Sequence, residues 1–342
     1  MIKQFVPILA NSPAFGKFVS LLEHADGERA NVLRVLTYHR VDEPDAHPWL
    51  DPGLISAPPE IFEKQMKYLA GNYEPVSALD VVNALEKESP VALPPRAVLV
   101  TFDDAYCDFA EHAWPVLKQL RVPVILFVPT AFPDHPERLF WWDRLFHALQ
   151  TTSRRELTTP VGQLLLSTPG ERAQAYKTLK NHFKTVPHAQ AMAEVERICQ
   201  DLGVAPQQNI VLGWATLKKL AGEGVTLGAH TQHHPIMNCV TLEELEKEVV
   251  GSLRDLTHQI GAAPQTFAYP SGIHNDAAVA VVERAGFRLA FTTRRGLNEI
   301  RRADRLRLHR INVGARTTLP VLRAQLLSWS NPVHSLSNRL SG

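Results

Sequence analysis

Ala97-Val98-Leu99-Val100-Thr101-Phe102-Asp103-Asp104 is an apolar, β-branched run closed by two carboxylates. A run without polar alternation reads as a strand buried on both faces, so the acidic pair falls at that strand's C-terminal end. Far downstream, Val225-Thr226-Leu227-Gly228-Ala229 has the same character and leads into His230-Thr231-Gln232-His233-His234-Pro235. Pro235 disfavours helical geometry at His234, which predicts a tight turn bringing the two imidazoles together. One carboxylate and two imidazoles suit zinc or a similar divalent ion and leave a coordination position for water. That is the equipment of a hydrolase. Taken singly, each motif has an ordinary reading: Asp-Asp after a strand as a helix cap or solvated turn, and a histidine pair as accident in a chain with 15 histidines. Their conjunction at two strand ends is what favours a metal site.

In that order and context the two motifs resemble those of the polysaccharide deacetylases, the family sharing the nodulation-protein-B homology domain (carbohydrate esterase family 4). Thr101 to Asp104 matches the first motif and His230 to Pro235 the second, while Phe267-Ala268-Tyr269-Pro270-Ser271-Gly272 resembles the third. Leu36-Thr37-Tyr38-His39-Arg40-Val41 is similar to an opening strand of bacterial members, and Leu126-Phe127-Val128-Pro129-Thr130 to the strand after the first helix. The resemblance covers about residues 33 to 130 and 213 to 314. It implies a distorted (β/α)7-type TIM-like barrel. It further implies that Asp104, His230 and His234 hold a divalent metal, Zn2+ first, and that Asp103 is the catalytic base. The ion would activate water and polarise an acetyl carbonyl, Asp103 would accept the proton, and the backbone N–H of Ser271 would help hold the oxyanion.

The sequence departs from the family pattern at two places. Ala268 stands where many members carry an arginine that orients the base, which leaves Arg40 and Arg310 as candidates for that work. The late family histidine that protonates the leaving amine has its counterpart in His309, within Leu306-Arg307-Leu308-His309-Arg310-Ile311, and His39 is its rival. The substrate implied is an N-acetylated glycan, a lipid-linked sugar or a glycan precursor. Two other readings stay open: hydrolysis of a small amide or imide, and a non-catalytic glycan-binding relative.

Strand-like and helical runs alternate along the chain, as in a parallel α/β barrel. Residues 1–32 read as an N-terminal helical extension with Phe15, Phe18, Val19, Leu21 and Leu22 on one face. Residues 33–330 read as the barrel, and 331–342 as a tail. The alternation fails between 131 and 213, which predicts a helical insertion or cap. It opens with Trp141-Trp142, which could stack on sugar or anchor a small core. Asp108 to Arg121 reads as one helix. Thr241-Leu242-Glu243-Glu244 is a capping box that starts a helix ended by Gly261, with Leu242, Leu245, Val249, Leu253, Leu256 and Ile260 on its apolar face.

A net charge of +1 carries no footprint for nucleic acid, so none is expected as a partner. Three cysteines, Cys107, Cys199 and Cys239, argue against a disulfide framework and read as small buried apolar groups. The first residues lack the pattern of a secretory signal, and no segment reaches the length of a membrane span. Cytoplasmic residence is therefore the expectation.

Overall fold

The computed structural model describes residues 13–25, 30–86, 91–205, 207–208 and 210–330. The expected tail at 331–342 and the first twelve residues of the expected extension lie outside the described residues.

The apolar runs form strands Val32–Tyr38 (β1), Ala97–Phe102 (β2), Val124–Val128 (β3), Thr226–Ala229 (β4), Thr266–Ala268 (β5), Leu289–Arg295 (β6) and Leu308–Asn312 (β7). Each pairs in parallel with the next. Leu36 of β1 lies opposite both Val100 of β2 and Ile311 of β7, which closes the sheet on itself. This is the (β/α)7 barrel expected from the sequence. Closure gives every strand two neighbours, and β2 is buried along its whole length, as its unbroken apolar sequence requires.

Alternate residues of a barrel strand point to opposite sides. Val35, Leu99, Ile125, Phe127, Phe291 and Leu308 share one apolar cluster, whereas Leu36, Val100, Leu126 and Ile311 belong to the larger cluster under the outer helices. Close packing leaves no room for a side chain at residue 228: a Cβ there would lie 2.5 Å from the Phe127 ring. Asp103 follows Leu99 and Thr101 on one face, and Arg310 follows Leu308. The strand period therefore sends both toward the barrel interior.

Helix Pro13–Ala25 (α1) buries Val19 but leaves Phe18 and Leu21 exposed, so its apolar face is only partly packed. It is tied down by Glu23, which accepts hydrogen bonds from Arg323 and Tyr68. The stretch from 108 to 121 is not one regular helix. A single π turn over Phe109–Ala113 precedes helix Trp114–Leu120, because Pro115 has no N–H to return to an earlier carbonyl. Between β3 and β4 lie helix Trp141–Thr151 (α2), a hairpin of Glu156–Thr159 with Gly162–Leu165, and helices Pro169–Phe183 (α3) and His188–Leu202 (α4). Helix Leu242–Ile260 (α5) starts at the Thr241–Glu244 capping box and ends at Gly261 with φ 74°. It buries Leu245, Val249 and Leu256, whereas Leu242, in the first turn, faces solvent. The three cysteines are free, and no described helix is long and apolar enough to cross a membrane.

Candidate active site

Three loops at the C-terminal ends of β2, β4 and β5 meet over one mouth of the barrel. Asp104 follows β2, His230 and His234 follow β4, and Ser271 follows β5. These loops turn sharply. Of the nine non-glycine residues with positive φ among the described residues, Asp104, Ala105, Thr231, His234 and Ser271 belong to them. Left-handed backbone at a non-glycine residue is unfavourable and persists where the surroundings enforce it, commonly at functional sites. The tight turn expected before Pro235 is present, with φ 55° at His234 and the Thr231 hydroxyl accepting from the His234 N–H. Gly272, with φ 69°, passes so close to β6 that a Cβ there would lie 2.1 Å from Thr293 Oγ1.

Asp104 Oδ1 lies 3.5 Å from His230 Nε2 and 3.5 Å from His234 Nε2, and all three side chains are buried. That oxygen has no hydrogen-bond partner. The spacing is long for a hydrogen bond but suits a shared cation. Two bonds of about 2.1 Å meeting near the tetrahedral angle separate their outer atoms by about 3.4 Å. His230 Nδ1 is 2.7 Å from the Ala268 carbonyl, which can only accept, so Nδ1 carries the proton and Nε2 is free to donate a lone pair. Burial depresses the His234 imidazole to about 3, which keeps it neutral as a ligand must be. The donor set therefore fits a divalent ion.

Asp103 stands beside this cluster. Both its oxygens accept from Arg310, Oδ1 from Nη1 and Oδ2 from Nη2, each at 2.8 Å, and both side chains are buried. Burial pushes the Asp103 carboxyl up. The charge of Arg310 and its hydrogen bonds outweigh burial and hold it well below the usual carboxylate range. Of the two arginines considered from sequence, Arg310 pairs with Asp103, whereas Arg40 is held by Asp42 and Asp108. Arg310 Nε also donates to the Thr292 carbonyl at 2.7 Å, fixing the guanidinium from behind.

A cavity of about 200 Å3 opens onto these groups, lined by His39, Asp103, Asp104, His230, His234 and Ser271 together with Leu54, Trp142, Lys180, Lys184 and Thr293. His39 Nε2 is 4.0 Å from Asp103 Oδ2. His309 is not among the lining residues. It neighbours Arg310 on β7, so the strand turns it the other way, and its Nδ1 lies 2.7 Å from where a Cβ on Gly296 would stand. The tryptophan pair divides. Trp141 packs edge-on against Phe183, while Trp142 stacks on Phe140, meets the His234 ring edge-on at 4.7 Å and reaches the cavity wall.

A buried chain of hydrogen bonds fastens the inserted helices to the barrel. Asp143 of α2 accepts from the Asp51 N–H and from the Tyr106 hydroxyl, which in turn accepts from Trp142 Nε1. Asp51 accepts from Tyr176 and Lys180 of α3. Lys180 and Lys184 carry no motif, and their spacing of four marks only a shared helical face. What that face looks onto is set by tertiary packing.

A family model described as polysaccharide deacetylase matches residues 172–290. A Staphylococcus aureus (strain N315) poly-beta-1,6-N-acetyl-D-glucosamine N-deacetylase is 23% identical over 231 residues, covering 68% of this chain and 59% of the relative. The Bacillus subtilis (strain 168) protein YxkH is 20% identical over 287 residues, covering 84% of this chain and 73% of its own. Among solved structures, a Streptococcus pyogenes deacetylase in complex with acetate superposes with a TM-score of 0.58 at 19% identity, covering 87% of this chain and 99% of the other. IcaB from Ammonifex degensii gives 0.55 at 19% identity, over 88% and 98%. Fold and sequence similarity together support a barrel hydrolase acting on carbon–nitrogen bonds other than peptides, with a buried Asp–His–His group compatible with a metal ion. Residues 172–290 match the polysaccharide deacetylase family model, and the chain is similar in sequence and fold to these deacetylases.

Proposed function

We propose that this chain hydrolyses the N-acetyl group of an N-acetylated sugar, releasing acetate and leaving a free amine. The observation that carries the reading is the convergence of Asp104, His230 and His234, ligand atoms within 4.8 Å of one another, beside a carboxylate held ionised by Arg310. The staphylococcal relatives named for N-deacetylation of a poly-N-acetylglucosamine support the choice of sugar.

In this reading Asp104, His230 and His234 hold a divalent ion, with Zn2+ suited best by the donors. When bound, such an ion lowers the pKa of water and draws electron density from the acetyl carbonyl. Asp103 accepts the proton of the attacking water. Each of its oxygens gives one lone-pair site to Arg310 and retains another for the substrate side. Ser271, in a sharp turn at the cavity wall, is the residue whose N–H we assign to the oxyanion. The leaving nitrogen needs a proton, and we assign its supply to His39, a reading supported by its position on the cavity wall next to Asp103. Trp142 forms an apolar wall against which a sugar face can rest.

The test is acetate release by the intact chain from N-acetylglucosamine oligomers, set against small cyclic amides. The reading expects acetate from the oligomers and a collapse of that activity in Asp103→Asn. Turnover of the ring amides alone would replace it with a different amide hydrolase.

A further inference from the structure

We infer that the cavity takes an acetamido sugar bearing a negatively charged substituent, a phosphate ester or a carboxylate, and that Lys184 is the cation that recognises it. The inference deepens the proposed function and rests on it.

Lys184 stands at the C-terminus of α3, in the inserted segment, and lines the same cavity as Asp104 and the two histidines. Its backbone is fixed there: the carbonyl accepts from Cys239 Sγ in the chain that follows His234, and the N–H bonds to Asn181. Among the described residues no carboxylate lies within ion-pair distance of its ammonium. The cavity's two acidic groups are already engaged, Asp103 by Arg310 and Asp104 facing two imidazoles, and Asp51, outside the cavity lining, is held by Lys180. Lys180, one turn earlier, lines the cavity too, but Asp51 answers its charge.

An ammonium drawn into a cavity without a counter-charge is costly. Burial, and then the Lys180 charge, push its pKa down in spite of attraction from Asp51 and Asp104. A lysine at a helix C-terminus ordinarily complements the helix dipole from the surface. Here the side chain faces the site instead, and an anionic group on the substrate is the counter-charge that would remove the cost. A lysine ammonium is a point charge and makes no geometric choice between phosphate and carboxylate, so the shared chemistry is negative oxygen next to an acetamido ring.

The experiment compares matched β-linked N-acetylglucosamine tetramers, one unmodified, one phosphorylated at a 6-hydroxyl and one carrying a carboxylate ether. Two readouts are taken: kcat/KM for acetate release by the intact chain, and calorimetric affinity for Asp103→Asn. We expect a preference of about tenfold or more for at least one charged tetramer, since a charge-assisted hydrogen bond is worth roughly that or more. The preference should fall with added salt, shrink about tenfold in Lys184→Gln and persist in Lys184→Arg. Which charged tetramer is favoured identifies the anion. Equal handling of all three tetramers by the wild-type chain overturns the inference, as does a Lys184→Gln variant that loses the same factor on each. Should Lys184→Gln fail to fold, the wild-type preference and its salt dependence decide the matter. No acetate from any tetramer, combined with preferential binding of a charged one, defeats the proposed reaction but leaves the anion site standing. Acetate release without preference does the reverse.

Discussion

Replacing Arg310 by Met removes the two 2.8 Å hydrogen bonds to Asp103 and leaves a carboxylate buried in the barrel mouth without a cation. Breaking a buried pair from one side costs about 3–5 kcal/mol, much of it the penalty for the stranded charge. Each 1.4 kcal/mol is a factor of about ten, so the folding equilibrium should fall by roughly two to three and a half decades. Asp103→Asn strands the guanidinium in turn. The double variant strands neither, so it should be more stable than the sum of the two single losses by at least about 2 kcal/mol. Urea unfolding of the four proteins, followed by tryptophan fluorescence, gives that coupling energy. Turnover in Arg310→Met should fall by about a hundredfold or more, because the carboxylate loses the partner that fixes its direction. Additive losses in the double variant, or wild-type turnover in Arg310→Met, would refute the assignment of Arg310 as the orienting cation.

Other outcomes follow from the same geometry. His39→Gln should lower kcat for acetate release more than His309→Gln does, since only His39 lines the cavity; the opposite ranking in rates taken across pH removes His39 from the mechanism. His234→Ala should lose bound metal in elemental analysis, whereas Asp103→Asn keeps most of it while activity collapses; equal metal loss in both contradicts the division of roles. Burial pushes the Asp143 carboxyl up to about 7, against the Tyr106 and Asp51 hydrogen bonds. A raised carboxyl pKa stabilises the fold fully below about pH 4 and loses that contribution as pH rises through about 7. Asp143→Asn should therefore flatten the decline of unfolding free energy across that window, and an unchanged slope in urea titrations would exclude Asp143 as its source.

What the sequence made legible is what local pattern controls. The unbroken apolar run before Asp103, the proline after His234 and the Thr241–Glu244 cap each act within a few residues, and each has the consequence read from it. Arg310 was legible only as one of two candidates. The choice between it and Arg40 depends on which faces the interior, and Arg40 is taken by its sequence neighbour Asp42 and by Asp108, whose proximity only folding creates. Strand alternation did hold a clue: Leu308 points inward, so Arg310 does also and His309 does not. Arg310 on β7 thus pairs with Asp103, whereas residue 268 is an alanine and offers no cation. Ala268 meanwhile serves through its backbone, which sets the His230 tautomer. Lys184 and the Tyr106–Asp143–Asp51 chain had no local signature, because they exist only where the inserted helices dock on the barrel.

The most direct test of the account is an anomalous-scattering map at the zinc edge from crystals of the active chain. The account predicts one strong peak about 2.0–2.1 Å from an Asp104 carboxylate oxygen, His230 Nε2 and His234 Nε2, with Asp103 beside it and bound to Arg310. A fully active protein with no peak there, or with its metal elsewhere, contradicts it.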